Sequence, residues 1–259
     1  MISSNSNGQV KNVVQLQKKA RARNEQGVFV VEGLKMFLEV PQDRLVNTFI
    51  SQSFYDKEAH REYLKDIKFE IVEDRVFDFM SDTKTPQGIL CVVKQFQYHL
   101  KNIIKKGNPF LLVIEDMQDP GNLGTIIRTG EGAGLDGIIL SKTSVDIYNP
   151  KTIRSTMGSI YRMPIIYIEK IEDILAELAN QRITTYAAHL QGESDYDEAD
   201  YRSGTAFFIG NESKGLSKEL AEQANVWIKI PMAGKVESLN AAVASSILMY
   251  ETHKQRKAF

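Results

Sequence analysis

Apolar positions along the 259-residue chain fall into short runs closed by Gly, Pro, Asn or Asp, and into longer stretches repeating every three to four residues. The first pattern predicts strands and the second helices. In the first part of the chain, 29–32, 49–51, 69–72 and 89–93 read as strands. Residues 33–39, 57–65 and the stretch beginning at Val76 read as helices between them, which predicts a small α/β sandwich. From Phe110 onward the alternation becomes regular. Strands are expected at 110–114, 137–140, 165–168, 184–188, 206–209 and 226–230, and helices at 123–133, 150–159, 171–180, 217–224 and 239–256. Asn149 and Pro150 supply an N-cap and a first-turn proline, and Ser217 caps a later helix with Glu219 in its first turn. Such a succession argues for a largely parallel sheet covered on both faces.

Residues 97–108 are polar and carry Lys101, Lys105, Lys106 and Gly107, so the expected organisation is a domain over 1–96, a linker over 97–108 and a second domain over 109–259. The first nine residues, rich in Ser and Asn, read as a flexible tail. Residues 10–24 follow with Lys11, Lys18, Lys19, Arg21 and Arg23 and no acidic residue. Leu16 and Ala20 can seat this stretch as a helix with its cations outward, either as a solvated face or as a contact for RNA phosphates.

Composition narrows the picture. With 42% hydrophobic and 25% charged residues the chain is ordinary for a globular protein, and a net charge of −1 means that any nucleic-acid contact must come from a concentrated face. No apolar run reaches membrane-spanning length and the N-terminal stretch has no signal-peptide core. The single cysteine, Cys91, lies in an apolar strand, consistent with a buried thiol and a reducing cytoplasm. His60, His99, His189 and His253 have no ligand spacing, so no metal is expected.

The chemistry concentrates at three strand-to-loop junctions, 114–134, 207–217 and 228–247, each rich in Gly, Asn or Ser. Ligands of parallel sheets bind at the carboxyl ends of strands, so these junctions predict one cleft. In the last, Ala241, Ala242, Ala244, Ser245 and Ser246 leave one helix side small enough for close approach. Gly130, Gly132 and Gly134 end a helix instead of opening one, which weighs against a dinucleotide-binding GxGxxG turn. In their order, the three stretches resemble the signature motifs of the SpoU family of RNA ribose 2′-O-methyltransferases. The resemblance spans about 110–255, and residues 21–33 and 83–89 more weakly resemble the ribosomal-protein-like substrate-binding domain that precedes many catalytic domains of that family.

The resemblance implies a SPOUT-type α/β-knot catalytic domain, with a trefoil-knotted, mostly parallel sheet, preceded by a small α/β RNA-binding domain. It implies S-adenosylmethionine as cofactor, held at His189, Leu190, Gly210, Ile230 and Leu239, and a catalytic group of Asn122, Arg128, Glu212, Ser238 and Asn240. Gly210, lacking a Cβ, is expected to admit the cofactor, so that Gly210→Val would exclude it from a folded chain. Arg128 suits a bidentate grip on a phosphate beside the target ribose, whereas guanidinium groups are poor bases at neutral pH. The implied activity is methyl transfer to a ribose 2′-hydroxyl of ribosomal RNA. The alternatives are a transfer-RNA substrate, or a non-catalytic RNA-binding protein on the same fold. Val243, Ile247, Leu248 and Tyr250 give the last helix more apolar surface than one face needs, which with the resemblance predicts a homodimer through the catalytic domain.

Overall fold

In the computed structural model of the chain, which describes residues 1–104 and 107–257, Asn7 starts the first helix by accepting hydrogen bonds from the Gln9 and Val10 amides. The basic run is not one helix. It breaks at Lys19, whose backbone is extended, into α1 (Gly8–Lys18) and α2 (Ala20–Gln26), and Gly27 ends α2 in the left-handed conformation. Strand β1 (Val28–Glu32), helix α3 (Leu34–Leu38), strand β2 (Leu45–Ser51) and helices α4 (Gln52–Asp56) and α5 (Glu58–Arg61) follow. Strand β3 (Glu70–Val72), helix α6 (Asp74–Met80) and strand β4 (Ile89–Lys94) complete a four-stranded sheet of order β1-β4-β2-β3.

Strand β4 is antiparallel to β1 and β2, and β3 lies parallel to β2. Val10, Val13 and Leu16 of α1 and Val76, Phe77 and Met80 of α6 bury against the apolar side chains of this sheet. The first residues are not a free tail. Ile2 is buried and bridges Val72, donating to the Ile71 carbonyl at 2.8 Å and accepting from the Glu73 amide at 2.9 Å, because its apolar side chain gains from covering the sheet edge. Cys91 of β4 is fully buried, and that burial pushes its thiol pKa up to about 12, against a smaller lowering by Thr48.

Helix α7 (Leu100–Ile103) lies in the stretch expected as linker, and Ile103 and Ile104 bury in the core of the second sheet. Lys105 and Lys106 lie outside the described residues. Strand β5 (Phe110–Ile114), helix α8 (Pro120–Ala133) and strand β6 (Gly137–Ser141) follow. Gly137 leaves room in β6 for Ile103, whose Cγ2 would lie 2.5 Å from an added Cβ.

The chain then makes an excursion. Residues Asp146–Tyr161, including α9 (Pro150–Thr156), cluster with Met1–Phe96, whereas Gln97–Val145 and the chain from Arg162 onward form the second unit. The physical reason is aromatic: Tyr148 stacks on Phe29 of β1 at 4.5 Å, and Tyr161 donates to the Met36 carbonyl at 3.1 Å. Asn149 and Pro150 open α9 as their residue types predict.

Back in the second unit come β7 (Ile165–Ile168), α10 (Glu172–Asn180), β8 (Thr184–Ala188), β9 (Ser194–Asp195), β10 (Thr205–Ile209), α11 (Lys218–Ala221), β11 (Val226–Lys229) and α12 (Ala241–Lys257). The sheet order is β7-β6-β5-β10-β8-β11-β9 and every pairing in it is parallel. Strand β9 has two polar residues and no apolar pattern, so the sequence offered no signal for it. Strands β6 and β7 lie to one side of β5, while β10, β8 and β11 lie to the other, which puts a topological switch between β5 and β10.

Candidate active site

At that switch, Asp119 caps α8 by accepting from the Asn122 amide at 2.8 Å, and Pro120 fills its first turn. This Asp-Pro pair extends the helix three residues beyond the expected start at 123. The preceding loop is tightly held. Asp116 is left-handed (φ 56°), its amide donates to Ser141 Oγ at 2.8 Å and its carbonyl accepts from Asn211 Nδ2 at 2.7 Å. With Asp116 fixed, the amides of Gln118 and Asp119 point at one carboxylate, that of Glu212, at 3.1 and 2.9 Å.

Glu212 also accepts from Asn122 Nδ2 at 3.2 Å, and Asn122 Oδ1 accepts from Asn240 Nδ2 at 3.0 Å. Asn240 in turn caps α12 through the Ala242 and Val243 amides. A continuous polar chain therefore joins the three junctions that the sequence singled out. Partial burial pushes the Glu212 pKa up, but the donors from Asp119, its own amide, Gln118 and Asn122 outweigh it and hold the carboxyl below its ordinary 4.5. A depressed carboxylate adds stability above its unfolded pKa and loses it as pH falls through the folded one. Glu212→Gln should therefore cost stability at pH 7, on the order of 1 kcal/mol because solvent screens the partly exposed carboxylate. The gap to wild type should close as pH falls below the carboxylate range. Denaturant titrations at pH 7 and at about pH 3, below the usual carboxylate range, check this, and a gap equal at both would refute the charged role.

Beside this chain lies a cleft of about 320 Å³, lined by His189, Leu190, Gly210, Glu212, Ile230, Ser238 and Leu239 among others. All five residues expected at the cofactor, with Glu212 and Ser238, thus share one cavity. Its floor comes from the ends of β8, β10 and β11, and Ala241, Ala244 and Leu248 of α12 close one wall. Leu239 and Ser238 precede α12, which starts at Ala241 and not at 239. The ring of His189 packs on Trp227 at 4.7 Å, and its Nδ1 accepts from the Gln191 amide at 3.1 Å.

Gly210 differs from expectation in its reason. A Cβ there would strike the Gly215 carbonyl and the Leu216 nitrogen, because the 211–215 turn folds back across it. Asn211 closes that turn: its backbone pairs with Gly215 in both directions, and its Oδ1 accepts from the Ser213 and Lys214 amides at 2.9 and 3.0 Å. The sequence reading passed over Asn211 and Gln118, although Asn between two loop glycines is itself a turn signal.

Arg128 is exposed on α8, six residues and about 9 Å along the axis from Asn122, with Thr125 one turn from each. Among the described residues it has no ion pair or hydrogen bond, so it is not the surface pair that a lone helix arginine usually makes. Lys11, Lys18, Lys19 and Arg21 are exposed on α1 and α2, Arg21 beside Glu25 at 2.6 Å. Arg23 is not on that face. It is buried, and its guanidinium is spent on Asp146 and on the Leu16 and Gln17 carbonyls. The described residues contain no group of three or more His, Cys, Asp or Glu placed to hold a metal ion.

An all-parallel sheet with a small-molecule cleft at the carboxyl ends of β8, β10 and β11, and a polar relay running from Glu212 in its lining to Asn240, has the arrangement of an α/β ligand-binding domain. Residues 109–250 match the SpoU rRNA Methylase family and residues 7–91 the MRM3-like substrate binding domain. The chain belongs to the SpoU rRNA methylase family. It is 31% identical over 252 residues, 96% of this chain and 97% of the relative, to the 23S rRNA (guanosine(2553)-2′-O)-methyltransferase RlmP of Bacillus subtilis. A solved structure of an AdoMet-bound rRNA methyltransferase from Sinorhizobium meliloti superposes with a TM-score of 0.85 at 30% identity, covering 98% of this chain and 97% of that one. The A. aeolicus TrmH/SpoU tRNA modifying enzyme matches with a TM-score of 0.52 at 28% identity, covering 61% of this chain and 83% of that one.

Proposed function

We propose that the chain transfers a methyl group from S-adenosylmethionine to a ribose 2′-hydroxyl of RNA, and that the RNA is ribosomal. The observation that carries the activity is the unpaired Arg128 beside the Glu212–Asn122–Asn240 relay at the cleft. The cleft suits the cofactor: its volume falls at the lower end of small-molecule sites, and its lining combines the apolar Ile228, Ile230 and Leu239 with loop backbone. When bound, the cofactor supplies an activated methyl group on a sulfonium. His189, Leu190, Gly210, Ile230 and Leu239 hold it, while Glu212 and Asn240 fix Asn122 and the first turn of α8. Ser238, at the cleft mouth, orients the substrate hydroxyl. Arg128 grips the phosphate next to the target ribose and brings the hydroxyl into line.

The ribosomal choice is supported by the match of residues 7–91 to a substrate-binding domain and by the end-to-end match with an rRNA enzyme, where the tRNA-modifying structure covers only part of the chain. Exposed Lys11, Lys18, Lys19 and Arg21 are proposed to contact RNA phosphates. A cytoplasmic site of action is proposed from the likeness to an enzyme named for 23S rRNA. Mapping 2′-O-methyl groups on total RNA with and without the gene tests the reading. Loss of one ribosomal methyl group is expected. Loss from transfer RNA would move the substrate, and no loss would sink the proposal.

The working form is proposed to be a homodimer through α12. Val243 and Tyr250 are 48% and 50% exposed, and with Ile247 they make one apolar stripe at helical spacing. Leu248, by contrast, is fully buried and faces the cleft. Tyr250→Glu should therefore yield monomers of reduced activity. Light scattering at micromolar concentration decides it, since a wild-type mass near 29.3 kDa would mean a monomer.

A further inference from the structure

Among the described residues Arg23 is the one charged side chain that is buried, at 3% exposed. Its Nε and Nη2 donate to Asp146 Oδ2 at 3.0 and 2.6 Å, and its Nη1 donates to the carbonyls of Leu16 and Gln17 at the end of α1. The other oxygen of Asp146 accepts from the Tyr148 amide at 2.9 Å. Both oxygens of this carboxylate are thus engaged, and removing Asp146 leaves the buried Arg23 charge without its partner.

The position of Asp146 in the chain gives the pair its meaning. It is the first residue after the loop that follows β6, and that loop grips the start of the catalytic motif. Val145 donates to the Met117 carbonyl at 2.8 Å, Met117 donates to Ser144 Oγ at 3.1 Å, and Gln118 Nε2 donates to the Thr143 carbonyl at 3.0 Å. The next amides along, those of Gln118 and Asp119, are the backbone donors that hold Glu212. One peptide bond therefore separates the carboxylate fixed by Arg23 from the loop that aims the amides at Glu212.

We propose that Arg23 and Asp146 are positioning residues for the methyl-transfer reaction: anchoring the chain at Asp146 fixes the 143–145 loop, and through Met117 and Gln118 the placement of Asn122 and the first turn of α8. This rests on the proposed activity. It also ties turnover to the segment that follows the exposed Lys18, Lys19 and Arg21. Neither Arg23, Asp146 nor Asn122 lines the cofactor cleft, so loss of the pair acts on geometry at the catalytic group and not on cofactor affinity. Small misplacements of such groups are enough to cost about a hundredfold in rate.

The test measures methyl transfer from labelled S-adenosylmethionine to unmodified ribosomal RNA transcribed in vitro, after wild-type activity on it is established. Asp146→Asn can no longer accept from both Arg23 and Tyr148, and should lower kcat at least about tenfold, with cofactor affinity within about twofold. Arg23→Gln should do the same, and the double variant should lose no more than either single one, because the two act as a unit. If the pair variants fail to fold, Ser144→Ala loosens the same loop at Met117 and should lower kcat with the cofactor affinity again kept. Additive losses, a matching fall in cofactor affinity, or full turnover in folded Asp146→Asn or Ser144→Ala overturn the proposal. A wild-type chain that transfers no methyl group to any RNA overturns the activity, and the pair's role with it.

Discussion

Arg128→Ala should lower methyl transfer by a factor on the order of 10² to 10³ while leaving S-adenosylmethionine affinity within about twofold. The split follows from placement. Arg128 stands exposed on α8 without a partner among the described residues, and it does not line the cleft that holds the proposed cofactor positions. A side chain with no structural bond to lose should also leave thermal stability nearly unchanged, so lost activity cannot be blamed on misfolding. Arg128→Lys should recover only a small part, since an ammonium cannot reproduce the two parallel donors of a guanidinium on a phosphate. The measurements are single-turnover transfer to ribosomal RNA and calorimetric cofactor binding. Wild-type turnover in Arg128→Ala would remove the arginine from the mechanism.

Gly210→Ala should weaken cofactor binding at least about a hundredfold, and it should also destabilise the chain. The sequence alone suggested that a larger residue here would exclude the ligand from an otherwise intact fold. The structure assigns the missing Cβ to the protein's own backbone. An added carbon meets Gly215 and Leu216, and these cannot retreat without breaking the paired bonds between Asn211 and Gly215 at 3.0 and 2.9 Å. Because that turn carries Glu212 and forms one wall of the cleft, cofactor affinity and thermal midpoint should fall together. Calorimetry and the fluorescence of Trp227, which packs on His189 beside the cleft, report on binding. Affinity within twofold of wild type in Gly210→Ala would refute the assignment.

The tRNA-modifying structure covers 61% of this chain, the RlmP relative 96% and the Sinorhizobium meliloti structure 98%, and the N-terminal unit, where residues 7–91 match a substrate binding domain, is the part proposed to choose the target. Exchanging that unit is a blunter probe than the Arg23–Asp146 pair, because residues 146–161 belong to it structurally although they lie within the span matched to the methylase family.

Much of this was legible before any coordinates. The strands β5 to β8, β10 and β11 are short runs rich in apolar, β-branched and aromatic residues, and their alternation with helical patterns is the signature of a parallel sheet covered on both faces. Capping is equally local, so Asn149, Pro150 and Ser217 announced their helices correctly. His189, Leu190, Gly210, Ile230 and Leu239, which three motifs in order single out, do line one cavity.

What the sequence by itself determined, then, is whatever depends on near neighbours in the chain: the caps at Asn149 and Ser217, the buried strands, and the motif residues carried on them. What only the tertiary structure decided depends on partners far apart in sequence. Arg23 reads as one more cation in a basic run, and it is buried only because Asp146, 123 residues later, returns to meet it. Ile2 reads as part of a polar tail until the edge of β3 gives its side chain a place to be buried. Gly210 reads as room for a ligand until the 211–215 turn is seen lying across it. In each case the deciding energy is the desolvation or collision of two groups brought together by folding, and no local pattern records which two will meet.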